Sequence, residues 1–418
     1  QTERAALGAA LVDPPRALRC GLAPADFSDT VGGTIWQCIT ARASSGDAVD
    51  IITLLSDLGD QYRKLLGELA SESFSAANLE AYADSVKTES KRRKLRGFLG
   101  GLDLSKDPDE VIGHALSALI EMGQGKASRS YSMQQLMALM TEEIERAREL
   151  ADSGESVGVP TGFADVDNLL GGYHRSDLIV VGGRPAMGKT AYLLSSAINA
   201  ARRGYSCGIV SAEMSALQLG SRALSGASNV ATHKMRNGRL HDFDYEYLDE
   251  AMESLSQLDV NVFDPDRCRP SDVLMQAHVW AAQKLDVLFV DYLQLLQPDS
   301  GHDSSRAREV GEMAKALKSV AKSLNIPVVA LVQLSRQCET RPDKRPMMAD
   351  LRDSGEIEEA ADEILFLYRD VVYNDSADPN GAEIIIGKNR HGPVGHIDMA
   401  YIPDRVMWCD KRAMEWAA

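Results

Sequence analysis

The spacing of apolar residues divides the chain into two regions. In the first 127 residues apolar positions recur every three or four residues, which is the spacing of a helix with one buried face. Examples are Ala6, Leu7, Ala10 and Leu11 near the start and Ile112, Leu116, Leu119 and Ile120 near the end. This pattern predicts a small all-helical N-terminal domain over residues 1–127.

A single amphipathic helix is predicted inside a linker that spans residues 128–157. Ser132 followed by Gln135 has the spacing of a capping box. In this motif the side chain of each residue accepts a hydrogen bond from the backbone N–H of the other at the start of a helix. One apolar stripe follows, formed by Met133, Leu136, Met137, Met140, Ile144 and Ala147. The stripe either packs on its own chain or docks on a neighbouring subunit, and the sequence leaves both interpretations open.

From residue 158 to residue 418 the pattern changes to short apolar runs that alternate with helical segments. This alternation is typical of an α/β domain with a parallel-rich central sheet. The predicted strands are Leu178–Val181, Cys207–Ser211, Val287–Asp291, Val328–Val332, Ile364–Tyr368 and Ile384–Gly387. In such sheets ligands bind beyond the carboxyl ends of the strands, so functional residues are sought there.

Composition narrows the class of protein. The 418 residues suit two or three domains, and the six cysteines contain no C-x-x-C pair, which argues against zinc sites and a secreted disulfide framework. No apolar run has the length of a membrane span, and the polar start is not a secretory signal. We therefore expect a cytoplasmic protein with no membrane partner.

The net charge of −16 argues against a protein that coats DNA over its whole surface, because non-specific affinity for DNA comes from Lys and Arg on phosphates. A small, locally basic channel is compatible with this charge. The one basic run, from Lys91 to Arg96, is either a nucleic-acid patch or the solvated face of a helix. The second interpretation is favoured, since most charge runs on helices are exposed faces.

The segment GRPAMGKT at residues 183–190 is a G-x-x-x-x-G-K-[ST] motif between a predicted strand and a predicted helix. In such a loop Gly183 and Gly188 let backbone N–H groups surround phosphates, and Lys189 reaches the β- and γ-phosphates. The Thr190 hydroxyl binds Mg²⁺. Arg184, Pro185, Ala186 and Met187 complete the nucleotide-binding loop. The sequence thus predicts ATP and Mg²⁺ as cofactors.

Three further strand ends carry residues that suit ATP hydrolysis. Asp291 ends a buried strand and is the candidate second carboxylate for the metal, while Glu213 follows another strand and can activate the attacking water. Gln333 ends a third strand, where it can sense the γ-phosphate. Lys388 and Arg390 lie beyond the last long apolar strand, either as a charge clamp for the γ-phosphate or as a basic hairpin turn.

Several longer segments occur in a fixed order. The C-terminal region contains TGFADVDNLLGG, GGRPAMGKT, SAEMS, LDVLFVDYLQLL, QLSRQCETRPDKRP, DLRDSGEIEEAAD and KNRHGP, and the first domain contains ERAALGAALVDP, DFSDTVGGTIWQCI and VDIITL. Together they resemble the DnaB-type replicative DNA helicases, and the resemblance covers nearly the whole chain. It implies a RecA-like P-loop motor domain behind a helical collar, assembled head to tail as a homo-hexamer.

The resemblance also implies function and partners. ATP hydrolysis would drive 5′-to-3′ movement on single-stranded DNA encircled in the central pore and would unwind the duplex at a replication fork. A helicase loader and a primase would be partners, in a bacterial cell or a phage-infected host. Direct primase activity is not expected, because the sequence has no cysteine cluster that would bind zinc.

Site residues follow from the same resemblance. It assigns Glu213 as the catalytic base, Asp291 to Mg²⁺ through water, and Gln333 as the γ-phosphate sensor. It places Arg222 near the nucleotide. Lys388 and Arg390 would act in trans on the γ-phosphate of the adjacent subunit.

For DNA, the LRDSG segment resembles a pore loop that holds one strand by its phosphates. Arg352, Asp353 and Gly355 are therefore the candidate DNA contacts, Arg352 by its charge and the other two through backbone N–H groups. Arg306 and Arg308, in the polar stretch after Asp291, are further candidates.

Departures from the family pattern suggest a divergent or phage-encoded member: residues 31–34 lack a histidine, Glu359 and Ala360 replace the usual Gln and Asp, and Val332 replaces a common serine.

Two other classes of protein share the P-loop. A RecA-like recombination or repair ATPase is disfavoured by the collar segments, and a regulatory P-loop ATPase that binds no DNA is disfavoured by the single motor domain.

Overall fold

The computed structural model describes residues 2–71, 75–103, 105, 111, 115, 132–293 and 306–412, without the side chains of residues 306–308 and 352–354. The chain divides into two compact units, residues 1–126 and 127–418. The predicted domain limits at residues 127 and 157 stay predictions. Among the described residues, no helix has both the length and the apolar character needed to cross a membrane.

The first unit is helical in its described part. Its helices are α1 (Thr2–Val12), α2 (Pro14–Ala17), α3 (Thr30–Ser45), α4 (Ile51–Leu58), α5 (Arg63–Ser71) and α6 (Leu79–Gly100). Asp29 caps α3 by accepting a hydrogen bond from the Gly32 amide, and Trp36 of α3 is buried in the core of the unit. Gly33 lies so close to the Pro24 carbonyl that a Cβ atom would be 2.6 Å from its oxygen. The predicted helix around Ile112–Ile120 falls largely outside the described residues.

The basic run of α6 is largely paired within its own unit. Arg92 pairs with Glu89, Arg93 contacts Glu3, and Lys94 contacts Asp26. These contacts favour a helix face over a nucleic-acid patch.

The linker helix, α7 (Met133–Ser153), begins with the predicted capping box. The Gln135 amide donates to the Ser132 hydroxyl at 3.2 Å, and the Ser132 amide donates to the Gln135 side chain at 2.9 Å. Most of its apolar stripe is exposed, including Met137 and Met140 at about half of their surface. No residue of this helix is buried in the described chain.

The second unit is built on one mixed sheet. Within residues 132–293 and 306–412, its strands are β1 (Leu178–Gly183), β2 (Cys207–Ser211), β3 (Val260–Phe263), β4 (Val287–Asp291), β5 (Val328–Gln333), β6 (Glu363–Tyr368), β7 (Gly381–Asn389), β8 (Gly395–Ile402) and β9 (Met407–Asp410). Their order is β3-β2-β4-β5-β1-β6-β7-β8-β9. The pairs from β3 to β6 are parallel, and the pairs from β6 to β9 are antiparallel.

Helices connect the parallel strands, and besides α7 the described part of this unit contains α8 (Ala164–Leu170), α9 (Lys189–Arg202), α10 (Ala216–Ser228), α11 (Thr232–Asn237), α12 (Asp242–Ser256), α13 (Pro270–Ala281), α14 (Arg306–Leu324) and α15 (Gly355–Ala360). A 3₁₀ segment, Met348–Ser354, leads directly into α15. The strand residues alternate between two apolar cores on opposite faces of the sheet. The predicted α/β fold with a parallel-rich sheet is confirmed.

All six predicted strands are present, with ends that differ by up to three residues. Three strands were missed. Residues 260–263 are only partly buried and carry no continuous apolar run, while β8 and β9 belong to the antiparallel edge and contain Asp398 and Asp410. Edge strands of this kind lack the long apolar run that marks a strand buried on both faces.

Candidate active site

Parallel pairing brings the four candidate strand ends to one edge of the sheet. Gly183 at the end of β1 is paired with Gln333 at the end of β5, and Ser211 at the end of β2 is paired with Asp291 at the end of β4. Glu213 follows β2 by two residues and is exposed. Residues that are far apart in the sequence thus lie side by side, as the sequence predicted.

The loop from Gly183 to Thr190 has the backbone needed to surround an anion. Gly188 has a φ of +85°, and a Cβ atom on it would lie 2.9 Å from both Trp408 Nε1 and a ring carbon of Tyr401. The Trp408 indole donates to the Gly188 carbonyl at 3.0 Å. Pro185 and Ala186 are exposed at the tip, whereas Met187 is buried beneath it. The loop is therefore held by packing on its protein side and is exposed to solvent at its tip.

Lys189 lies folded over this loop. Its Nζ donates to the Gly183 carbonyl at 3.0 Å and to the Arg184 carbonyl at 3.4 Å. Burial lowers the pKa of Lys189, and the nearby Asp291 and Glu213 charges oppose that shift. A cation held by neutral carbonyls in a half-buried site is ready to exchange them for phosphate oxygens.

Thr190 and Asp291 form the candidate Mg²⁺ site. The Thr190 hydroxyl donates to Asp291 Oδ2 at 2.7 Å. Burial, with a contribution from Glu213, raises the pKa of Asp291 to about 6. Asp291 Oδ1 is buried and has no hydrogen-bond partner among the described residues. A hydroxyl beside an unsatisfied carboxylate oxygen fits a hard, oxygen-liganded cation such as Mg²⁺.

Arg222 lies on α10, half-buried, and its charge acts on both Asp291 and Tyr401. It is thus near the candidate site, as expected. Its side chain lines a small cavity with Ser195 and Trp408.

Arg184 has a different placement from its neighbours in the loop. Its guanidinium is buried, donating to Glu339 Oε1 at 2.7 Å and to the Leu334 carbonyl at 2.7 Å. The side chain therefore ties the loop to the segment after β5 and is turned toward protein groups.

Sequence reasoning missed other residues that support the loop. Arg369 donates to the Ala186 carbonyl at 3.2 Å and lies 3.7 Å from the centre of the Tyr401 ring. Neither Arg369, Tyr401 nor Trp408 belongs to a short motif. The position of Arg369 directly after an apolar strand was the one signal that could have identified it.

Lys388 and Arg390 lie at the other end of the strands, on the side of the sheet where the parallel strands begin. The pairing of β6 with β7 is antiparallel, and Glu363 at the start of β6 faces Asn389 at the end of β7. Lys388 is the second-last residue of β7, and Arg390 begins the connection of residues 390–394 to β8, so only Arg390 lies in the hairpin turn. At about 3.3 Å per strand residue, these cations are roughly 15–20 Å from the P-loop of their own chain.

The DNA candidates are described only through their backbone. Arg352 and Asp353 lie in the 3₁₀ segment that precedes α15, and their side chains are outside the described part of the chain. Gly355 begins α15 and is exposed. Arg306 and Arg308 lie in the first turn of α14, and their side chains are likewise not described.

Family models match both units. The model of the DnaB-like helicase C terminal domain matches residues 158–409, and that of the DnaB-like helicase N terminal domain matches residues 1–88. The chain belongs to the DnaB-like replicative helicase family. Because the match includes the helical N-terminal region, it argues against both alternatives, the recombination ATPase and the regulatory ATPase.

Individual relatives agree with this DnaB-like assignment. The replicative DNA helicase DnaB of Geobacillus stearothermophilus is 36% identical over 97% of this chain and 92% of its own length. The replicative DNA helicase DnaC of Bacillus subtilis (strain 168) is 34% identical with the same coverage of both chains.

Two solved structures are similar as well. One, described as a DnaB-like replicative helicase and its interactions with primase, has a TM-score of 0.69 at 30% identity and covers 98% of both chains. The other, described as an ATPase domain, has a TM-score of 0.63 at 33% identity and covers 67% of this chain and 99% of its own. The DnaB-like chain is therefore a nucleotide-binding protein that acts on DNA.

Proposed function

We propose that this replicative helicase is a homo-hexamer that moves 5′ to 3′ on single-stranded DNA in its central pore, with each ATP bound between two subunits. The observation that carries the proposal is the separation of the two halves of the hydrolytic machinery. Glu213, Asp291 and the P-loop lie at one edge of the sheet, and Arg390 lies at the other.

This separation favours catalysis in trans. Arg390 cannot reach its own P-loop without refolding the β7–β8 hairpin, because a whole strand length lies between them. A head-to-tail arrangement of subunits brings the β7–β8 hairpin of one subunit close to the P-loop of the next. Heterologous contacts of this type close into rings.

Within one site the residues divide the chemistry. Mg²⁺, held by Thr190 directly and by Asp291 through water, would neutralise charge on the β- and γ-phosphates. Lys189 exchanges its carbonyl partners for phosphate oxygens, and Glu213 accepts the proton of the attacking water. Gln333, beside Gly183, contacts the γ-phosphate. Lys388 and Arg390 of the neighbouring subunit stabilise the negative charge of the transition state.

The exposed stripe of α7 supplies a subunit contact. Met133, Met137, Met140 and Ile144 each expose about half or more of their surface. Such a stripe on a free helix is stable in water only when another surface covers it. We assign that surface to the motor domain of an adjacent subunit.

DNA is held by the segment from Arg352 to Gly355, with Arg306 and Arg308 as further pore residues. Arg352 contributes charge on phosphates, and Gly355 contributes a backbone N–H group. A loader and a primase are the expected protein partners. The similar structure described with primase supports the second of these.

The experiment that tests the function combines three measurements on the full chain. Mass in solution with ATP is expected to show six subunits, and single-stranded DNA is expected to stimulate ATP hydrolysis. Unwinding of a fork is expected to require a free 5′ tail. A ring without DNA stimulation, or unwinding that requires only a 3′ tail, would overturn the proposal.

A further inference from the structure

The short helix α15 ends at the two cations of the β7–β8 hairpin. The Lys388 ammonium donates to the carbonyl oxygens of Glu358 and Ala361, the second at 2.8 Å. These carbonyls belong to the last turn of the helix and its exit, where backbone oxygens lack helical partners. Lys388 therefore closes the C-terminal end of α15.

Arg390 is anchored to the same helix end by two hydrogen bonds. Its Nη2 donates to the Glu359 carbonyl at 2.7 Å, and its Nη1 donates to Asp362 Oδ1 at 2.7 Å. A guanidinium has five N–H groups, so three remain available to another ligand. The side chain is 44% exposed. Arg390 is thus fixed along one side and open on the other.

Asp362 holds this arrangement together. Only 3% of the residue is exposed, and its Oδ2 accepts from the Leu178 amide at 2.8 Å and from Lys318. Lys318 lies on α14, and Leu178 is the first residue of β1. The carboxylate therefore joins Arg390 to the rigid start of the sheet.

The helix that Arg390 touches directly follows the candidate DNA segment. The 3₁₀ segment ends at Ser354, and α15 begins at Gly355. Ile357 is fully buried, and Lys315 of α14 pairs with Glu356 at 2.9 Å. One helix of six residues therefore links residues 352–355 to the anchored guanidinium.

We propose that Asp362 is a positioning residue of the shared active site, which fixes Arg390 to the helix behind the DNA segment and so makes its placement depend on DNA. The inference rests on the proposed function, in which Arg390 acts on the ATP of the neighbouring subunit. It adds the group that orients Arg390 and the contacts through which DNA bound in the pore affects hydrolysis of ATP in the neighbouring subunit.

The expected effect is on turnover. A misplacement of about 1 Å in a catalytic group lowers the rate by roughly a hundredfold. Asp362→Asn keeps the size of the side chain and removes its charge, so we expect the DNA-stimulated kcat to fall by roughly tenfold or more. The KM for ATP should change by less than about twofold, because Arg390 stabilises negative charge that develops only in the transition state.

A double-mutant cycle separates positioning from general damage. ATP hydrolysis with single-stranded DNA is measured for wild type, Asp362→Asn, Arg390→Ala and the double variant, all as assembled full chains. If Asp362 acts through Arg390, then Asp362→Asn has no further effect once Arg390 is absent. Should Asp362→Asn fail to assemble, Asp362→Glu serves in the same cycle, since it keeps the charge for Lys318 and displaces the oxygen that Arg390 uses.

Glu383→Gln is the matched control, a loss of a carboxylate from an arginine pair elsewhere on β7. It removes the carboxylate that pairs with Arg345 at 2.6 Å and contacts neither Asp362 nor Arg390, so it should lower thermal stability while keeping DNA-stimulated turnover within about threefold. If the loss of kcat in the double variant equals the product of the losses in the two single variants, while DNA stimulates the wild type normally, this inference is overturned and the proposed function stands. A wild-type rate in Arg390→Ala would overturn the proposed function and the inference with it.

Discussion

Glu363 is a buried acid whose removal should change the pH dependence of stability. It is fully buried at the start of β6, and neither carboxylate oxygen has a hydrogen-bond partner among the described residues. Burial, together with the nearby Asp177 and Asp362 charges, raises the pKa of Glu363 to about 8 from an ordinary 4.5. The folded protein therefore keeps a proton that the unfolded chain releases.

The free energy of unfolding changes with pH because the folded and unfolded chains bind different numbers of protons. The unfolded chain loses this proton above about pH 4.5 and the folded chain only above about pH 8, so this contribution to stability is complete at low pH and is lost as pH rises through that window. At about 1.4 kcal/mol per pH unit, the free energy of unfolding should decrease by about 3 kcal/mol between pH 5 and pH 7.5 because of Glu363.

Glu363→Gln removes the titration and keeps the shape. Guanidinium unfolding, followed by tryptophan fluorescence, should show the variant gaining stability relative to wild type by about 3 kcal/mol over that pH range. Glu358→Gln, at an exposed acid five residues earlier, is the control for the loss of a surface charge and should change the free energy of unfolding by less than about 0.5 kcal/mol. A difference between Glu363→Gln and wild type that stays constant with pH would refute the reasoning.

Three further variants test other parts of the site. Glu213→Gln should bind ATP normally and lose turnover, and full hydrolysis by this variant would eliminate Glu213 as the base. Arg352→Ala should weaken binding of different single-stranded sequences about equally and flatten the dependence of affinity on salt; an unchanged slope in a salt titration would move the DNA site elsewhere. Met140→Asp should reduce ring assembly, measured as mass in solution, whereas Glu142→Gln on the same helix should not.

The sequence predicted those parts of the molecule that depend on local pattern. The strand end at Asp291 was placed correctly and those near Gly183 and Gln333 to within two residues, because short apolar runs in a parallel sheet end at one edge. The capping box at Ser132 was also correct, since it involves neighbours in sequence.

What could not be predicted depends on contacts between distant residues. Arg184 pairs with Glu339, 155 positions away, and nothing in either segment marks the partner. Glu363 has the pattern of an ordinary charged residue at the start of an apolar run, and only the packed sheet shows that it is buried. Arg390 lies at the end of the sheet away from the P-loop because β7 runs antiparallel to β6. The short apolar run Ile384–Gly387 does not specify that direction.

Mixing two inactive variants tests the shared active site most directly. Lys189→Ala lacks the cation on the phosphates, and Arg390→Ala lacks the cation offered to the neighbour, so each alone should hydrolyse ATP poorly; losses for such an arginine can reach about a thousandfold. In hybrid rings, some sites combine an intact Lys189 with an intact Arg390 from the next subunit, and part of the activity should return. Rings shown by mass to be thoroughly mixed, yet with no recovered hydrolysis, would contradict catalysis between subunits.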